Sequence, residues 1–169
     1  MWNAVKFAMS NANGQSDLSL SDKWILTKLQ VCAKEVHEAM DQYNMMQATS
    51  SVYRFFLNEL CDVFIECSKH LACQNTLLYI LDQALRLMHP FMPFVTEELW
   101  QRLPLSKTTS SICVATYPTY DSTKVYDIEA FDHMLDVMGC IRSLLAKYQI
   151  RGTGIMNSFS VLGYYLGAH

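Results

Sequence analysis

The stretch LMHPFMPFVTEELWQRLP, Leu87 to Pro104, decides the fold. Pro90 and Pro93 lack backbone donors and push the residue before each out of the α region, so a helix arriving from upstream must stop near Met88. The Phe-Met-Pro-Phe run that follows is too apolar for a free loop and is expected to lie on a core. Thr96 offers an N-cap oxygen for a new helix. Glu97 and Glu98 then fall in its first turn, where negative charge suits the helix dipole. Leu99, Trp100 and Leu103 supply its apolar face and Pro104 ends it. The stretch therefore reads as a helix, a buried corner and a second helix.

Working outward, Gln74 to Met88 forms the helix that enters the corner, with Leu77, Leu78, Ile80, Leu81, Ala84 and Leu85 inside. Before it, Met46 to about Lys69 is one helix. It is apolar nearly all round at its centre, which suits the central helix of a bundle. Asn44 marks a turn. Ser21 is the expected N-cap of a long helix running to about Gln42, with Asp22 in its first turn. At the start, Met1 to Ala12 reads as a short helix. Trp2, Val5, Ala8 and Met9 share its apolar face, and Asn3, Lys6 and Phe7 lie toward another. Downstream, 107–111 is a polar loop, and Ile112 to Tyr117 reads as a short strand or extended arm closed by Pro118. Asp127 caps a last long helix, with Ile128, Phe131, Met134, Leu135, Met138, Ile141, Leu144, Leu145 and Tyr148 on one face. Short connections favour antiparallel neighbours. The fold class is all-α, an antiparallel helix bundle with a short extended segment near 112–117. The bundle is expected to fill residues 1–150, leaving 151–169, which has four of the six glycines, as a poorly ordered tail.

Composition narrows the function. Of the 169 residues, 51% are hydrophobic and 17% charged, which excludes a disordered chain. A net charge of −3 excludes a strongly basic protein but leaves room for a local basic stripe. The six cysteines are scattered through helical patterns with no signal peptide before them, which points to reduced thiols and a cytoplasmic setting. No apolar run is clean and long enough to span a bilayer.

Candidate chemistry is sparse. Cys61, Cys67, His70 and Cys73 lack the paired spacing of a zinc module and read as small apolar helix residues. Glu97 and Glu98 are adjacent on a helix, about 100° apart, and do not form an acid/base pair. His89 suits a helix end, bonding the last carbonyls. No Ser/His/Asp or Cys/His set and no phosphate loop is present, so no catalytic residue is assigned. Trp24, Phe55, Phe56, Phe64, Phe91, Phe94 and Trp100 are core aromatics by their periodicity. Phe7 differs. Beside Lys6 and near Asn3, it is a candidate for stacking an unpaired base. Arg142, Lys147 and Arg151 form a weak basic grouping, with phosphate contact and a solvated face as the two readings.

The quoted stretch resembles the corresponding joint of valyl-tRNA synthetases. Trp2-Asn3-Ala4-Val5-Lys6-Phe7, Ser21 to Leu26, Tyr53 to Asp62 and Ile141 to Tyr148 resemble further segments of that family in the same order. The resemblance covers nearly all of residues 1–150. It implies the anticodon-binding bundle of a class I aminoacyl-tRNA synthetase. By it, Phe7 is the candidate stacker under an anticodon base, Asn3 the residue on a base edge and Lys6 a weaker backbone contact. Arg142 also matches the family pattern, serving either tRNA or structure. The implied partner is valine tRNA. The alternative is a non-catalytic module binding other synthetase domains, subunits or proteins. The family's HIGH and KMSKS signatures are not in this sequence. The chain alone is thus expected to activate no valine and to hold no cofactor, ATP and Mg being used by the full-length enzyme. Two departures stand out. The sequence begins where the family's first helix begins, and the tail from Arg151 does not resemble the family's continuation, as in a truncated or alternatively processed product.

Overall fold

The computed structural model describes residues 1–10, 18–68, 74–107 and 109–148. Seven α-helices organise them: α1 (Trp2–Ser10), α2 (Leu20–Asp41), α3 (Met45–Arg54), α4 (Ile65–Ser68), α5 (Gln74–Met88), α6 (Pro93–Arg102) and α7 (Glu129–Lys147). Between α3 and α4 the chain stays helical but widens into a π-helical stretch, Phe55–Phe64. The described residues contain no strand, and the all-α bundle read from the sequence is the architecture found. The expected tail, 151–169, lies outside the described residues.

The helix at the centre is α2 rather than the helix that follows it. It packs against α3, the π-helical stretch, α5 and α7. Trp24, Ile25, Leu29, Cys32, Ala33 and Val36 are all buried along it. The uniformly apolar sequence of 55–64 marks a local change of helical geometry, with Phe55, Phe56, Leu60 and Phe64 turned inward. The N-cap of α2 is Ser19, two residues before the expected Ser21. Its hydroxyl accepts from the Asp22 N–H while Asp22 accepts the Ser19 N–H at 2.9 Å, a reciprocal capping box. Ser21, the expected cap, is buried instead. The Asn44 turn holds: its side chain accepts the Gln47 N–H and caps α3. Tyr43, just before it, takes a left-handed φ of 56°.

At the Leu87–Pro104 corner, α6 begins at Pro93, not after Thr96. Proline suits the first helical position because its missing donor would have no partner there. Thr96 is consequently inside the helix and fully buried. Its hydroxyl donates to the Met92 carbonyl at 2.8 Å, and His89 Nδ1 lies 2.8 Å from the same oxygen. The hydroxyl proton is spent on the carbonyl, so the imidazole donates. His89 thereby ties the end of α5 to the start of α6. Phe94, expected in the core, is 91% exposed. With the helix started at Pro93, the inner face is Thr96, Leu99, Trp100 and Leu103, and Phe94 lies well over 100° from Leu99 around the axis. Glu97 is no first-turn stabiliser. Its carboxylate accepts from Gln101 at 2.7 Å, Ser111 Oγ at 2.7 Å and the Ile112 N–H at 3.1 Å, pinning the following loop.

That loop carries a 3₁₀ turn, Ile112–Val114, where a strand or extended arm was expected to begin. No neighbouring strand pairs with it. Ile112 is buried, and Ser111 caps the turn through the Cys113 N–H. The segment beyond is fastened to the bundle by side chains. Arg86 donates to the Thr116 carbonyl, Tyr117 to the Leu87 carbonyl, and Gln30 and Thr27 accept the N–H groups of Asp121 and Tyr126.

In α7 only the first half is inward. Asp127 accepts the Glu129 N–H at 3.1 Å from two residues before the helix start. Phe131 stacks on Trp24 with ring centroids 5.0 Å apart, and Asp132 accepts from both Trp24 Nε1 and Lys28 Nζ. From Val137 onward, Ile141, Leu144 and Tyr148 are exposed, although the periodicity of the last three placed them inside. A periodic face predicts burial only where a neighbour covers it, and the contacts of α7 with α2 are at its N-terminal turns.

A buried polar link ties the corner to α5. The Trp100 indole N–H donates to Asp82 at 2.6 Å, and Arg86 pairs with the same carboxylate at 3.0 Å. Asp82→Ala leaves the Trp100 indole without an acceptor and Arg86 with only the Thr116 carbonyl, and is expected to destabilise the fold by about 2–4 kcal/mol in urea unfolding, well beyond a surface substitution.

Candidate nucleic-acid interface

Helix α1 carries three of the four residues singled out for RNA contact. It docks on α5 and α6. Ala4 and Val5 are buried and hold it there, while Asn3 and Lys6 are exposed. The two aromatics sit differently from their expected faces. Phe7 is half-buried and packs against the core, whereas Trp2, expected on the inner face, is 43% exposed. The side chains of Ala8 and Met9 lie outside the described residues. Phe7 is thus held against the core, with Asn3 about one turn before it along the helix.

Arg142 stands apart. It is exposed on α7, its Nε 3.4 Å from the carbonyl of Met138 in its own helix. The packing that positions α1 runs through α5 and α6, while that of α7 runs through α2. Lys147 is likewise exposed, and Arg151 lies outside the described residues.

The sequence reading missed Arg102. Its guanidinium lies 4.8 Å from the centre of the Trp2 ring, and Lys6 Nζ lies 5.7 Å from it. Trp2, Val5, Lys6 and Arg102 line a cavity of about 230 Å³. Glu98 pairs with Arg102 along α6. The only available signal was the i, i+4 spacing of Trp2 and Lys6. Nothing in the sequence places a residue 100 positions away over the ring.

Other clusters show no catalytic geometry. Burial, with smaller contributions from the nearby Glu59 and Glu35, pushes the Cys32 thiol up to about 12, so it is no nucleophile. Burial likewise holds the Tyr117 phenol up at about 12. A second cavity, of about 220 Å³, lies between α2, α5 and the 116–124 segment. Its cations Arg86 and Lys124 pair with Asp82 and Asp121. Of the cysteine–histidine group, His70 and Cys73 lie outside the described residues. Among those described, no three potential ligands converge on a metal position. Glu35 is pushed upward by burial, yet its bonds from Arg54 and Ser51 outweigh that and leave it lowered.

The described residues thus form a helical bundle whose first helix exposes Asn3 and Lys6 beside a half-buried Phe7. Residues 22–153 match the model of the anticodon-binding domain of tRNA ligases, and the chain belongs to that family. Its relatives are valine–tRNA ligases. That of Petrotoga mobilis is 36% identical over 171 residues, 90% of this chain and 20% of the ligase. That of Schizosaccharomyces pombe is 37% identical over 180 residues, 92% of this chain and 18% of the ligase. The mitochondrial enzyme of Saccharomyces cerevisiae is 43% identical over 150 residues, 80% of this chain and 14% of the ligase. The chain thus spans about a fifth or less of the length of these relatives.

Glu59 gives a pH test of the packing beneath these helices. Burial raises its pKa, against the attraction of Lys28 and Arg54. The folded state therefore holds a proton that the unfolded chain has released, and stability falls as pH rises from the ordinary carboxylate range through the raised value. Glu59→Gln is expected to raise the urea midpoint at pH 7 relative to the unmodified chain. At about pH 3.5, where Glu59 is largely protonated in both the folded and the unfolded state, the difference is expected to vanish.

Proposed function

We propose that this chain is the anticodon-reading part of a valine–tRNA ligase and takes the anticodon loop of valine tRNA as its ligand. The observation that carries the proposal is the family match across most of the bundle, joined to valine-specific relatives. Single-stranded loops are read by stacking and by hydrogen bonds on base edges. On α1, the half-buried Phe7 has a fixed edge to stack with, exposed Asn3 has an amide for a base edge and Lys6 a cation for the backbone. Arg142 would contribute phosphate contact from α7. Adenylation of valine, with its ATP and magnesium, belongs to parts of the ligase outside this chain, and no cofactor is proposed here. The cytoplasm is the proposed compartment, and the mitochondrial relative makes an organelle the competing one. None of the helices among the described residues is long and apolar enough to cross a membrane.

A second reading is a module that binds other synthetase domains, subunits or proteins. The exposed stripe Val137, Ile141, Leu144 and Tyr148 on α7 and the net charge of −3 favour it. Filter binding of valine tRNA and an anticodon-swapped tRNA across a salt series separates the two. Anticodon reading predicts tighter binding of valine tRNA at low salt, declining steeply with added salt. Equal and negligible binding of both RNAs at low salt rejects it. Within a full-length ligase, Phe7→Ala is expected to cut anticodon discrimination by about 1–3 kcal/mol, the usual worth of one stacked base. Unchanged discrimination with an intact fold removes Phe7 from the site.

A further inference from the structure

Trp2 is large, apolar and 43% exposed beside two cations, an arrangement that internal packing does not require. The two other tryptophans are buried to within 2% and donate their indole N–H groups to Asp132 and Asp82. We propose that Trp2, Lys6 and Arg102 form a nucleotide cradle in which one unpaired base of the RNA loop stacks on the Trp2 ring and its phosphate lies against Lys6 and Arg102. This extends, and rests on, the anticodon reading of α1. It adds a second stacking position five residues before Phe7 and brings α6 into the interface.

Three observations converge on an anionic aromatic ligand. The cavity of about 230 Å³ lined by Trp2, Val5, Lys6 and Arg102 offers an apolar floor beside an exposed ring. Lys6 and Arg102 stand at its rim with one carboxylate, Glu98, between them in charge, so the rim keeps a net positive charge. Arg102 is held in place from both sides. Glu98 takes its Nε at 2.9 Å, and its guanidinium faces the ring at 4.8 Å, leaving the side chain half-exposed. A held guanidinium loses less entropy on meeting a phosphate than a free one. An apolar peptide would fill the cavity but would leave two cations at its edge unanswered.

The arrangement also makes a competition. The Glu98 carboxylate draws on the same guanidinium that a phosphate would approach. If Arg102 merely pins α1 to α6, removing Glu98 has no reason to improve RNA binding. If Arg102 serves a phosphate, removing Glu98 strengthens it.

The test is a titration of the full chain with the anticodon stem-loop of valine tRNA, followed by tryptophan emission and by filter binding. Since Trp24 and Trp100 are buried, quenching on binding is expected to come from Trp2 and to disappear in Trp2→Leu. Trp2→Leu is expected to weaken binding about tenfold or more with helical circular dichroism unchanged. Glu98→Gln is expected to tighten binding by more than Glu38→Gln, which removes the same charge from an exposed position on α2. Arg102→Gln is expected to lower the salt slope by about 0.7, the share of one single-strand phosphate contact, and it carries the test if Trp2→Leu does not fold. Weakening by Phe7→Ala with full affinity in Trp2→Leu and an unchanged slope in Arg102→Gln overturns the cradle and leaves anticodon reading standing. No binding of the stem-loop by the unmodified chain at low salt overturns both.

Discussion

The carboxylate of Asp82 sits where α5, α6 and the segment after the corner converge, and the arrangement of these elements depends on what it accepts. A buried indole N–H and a guanidinium both donate to it, and the same guanidinium reaches on to the Thr116 carbonyl. A buried carboxylate is costly unless paired and hydrogen-bonded. Its partners here are set one turn along α5 and eighteen residues ahead on α6, so satisfying the charge fixes the angle at which α6 returns. Lys107 completes the joint from the far end by donating to the Gln101 and Leu103 carbonyls that α6 leaves open.

The joint in turn positions α1, the helix that carries Asn3, Lys6 and Phe7. α1 has only nine residues, too few to be stable alone, and it is held by the surface that α5 and α6 present. Ala4 and Val5 are small enough to bring α1 close to that surface. Close approach is what allows Arg102, on the last turn of α6, to reach the Trp2 ring. Corner and candidate site are therefore one construction: the proline stretch orients α6, and α6 both carries α1 and supplies it with a cation. α2 plays the complementary part on the other side, collecting α3, α5 and α7 around its buried face.

Much of the candidate site was legible because a helix of Trp, Asn, Lys and Phe at these spacings has few ways to arrange itself. Asn3 and Lys6 are exposed as their chemistry predicts. Which aromatic faces solvent was not legible. Trp2 and Phe7 are both apolar, and periodicity put Trp2 on the inner face and Phe7 toward the outer one. The packing surface chose Phe7 for partial burial and left Trp2 outside. Arg102 was invisible for a different reason. It reads as an ordinary charged residue ending a helix, with a Glu98 partner at the right spacing to explain it.

The sequence by itself determined the helices, their order and the all-α class. Those follow from local rules: 3.6-residue periodicity, caps, and prolines that forbid continuation. It also carried, in the wording of its segments, the family to which the chain belongs. Tertiary structure alone decided that α2 is the hub, that Phe94 and the second half of α7 stay outside, that Ile112 enters the core through a 3₁₀ turn, and that Trp2 meets Arg102. Each of these depends on whether a second surface is present at a given place. Periodicity states which residues share a face, but burial requires a neighbour, and neighbours 30 to 100 residues away are set by the folded whole.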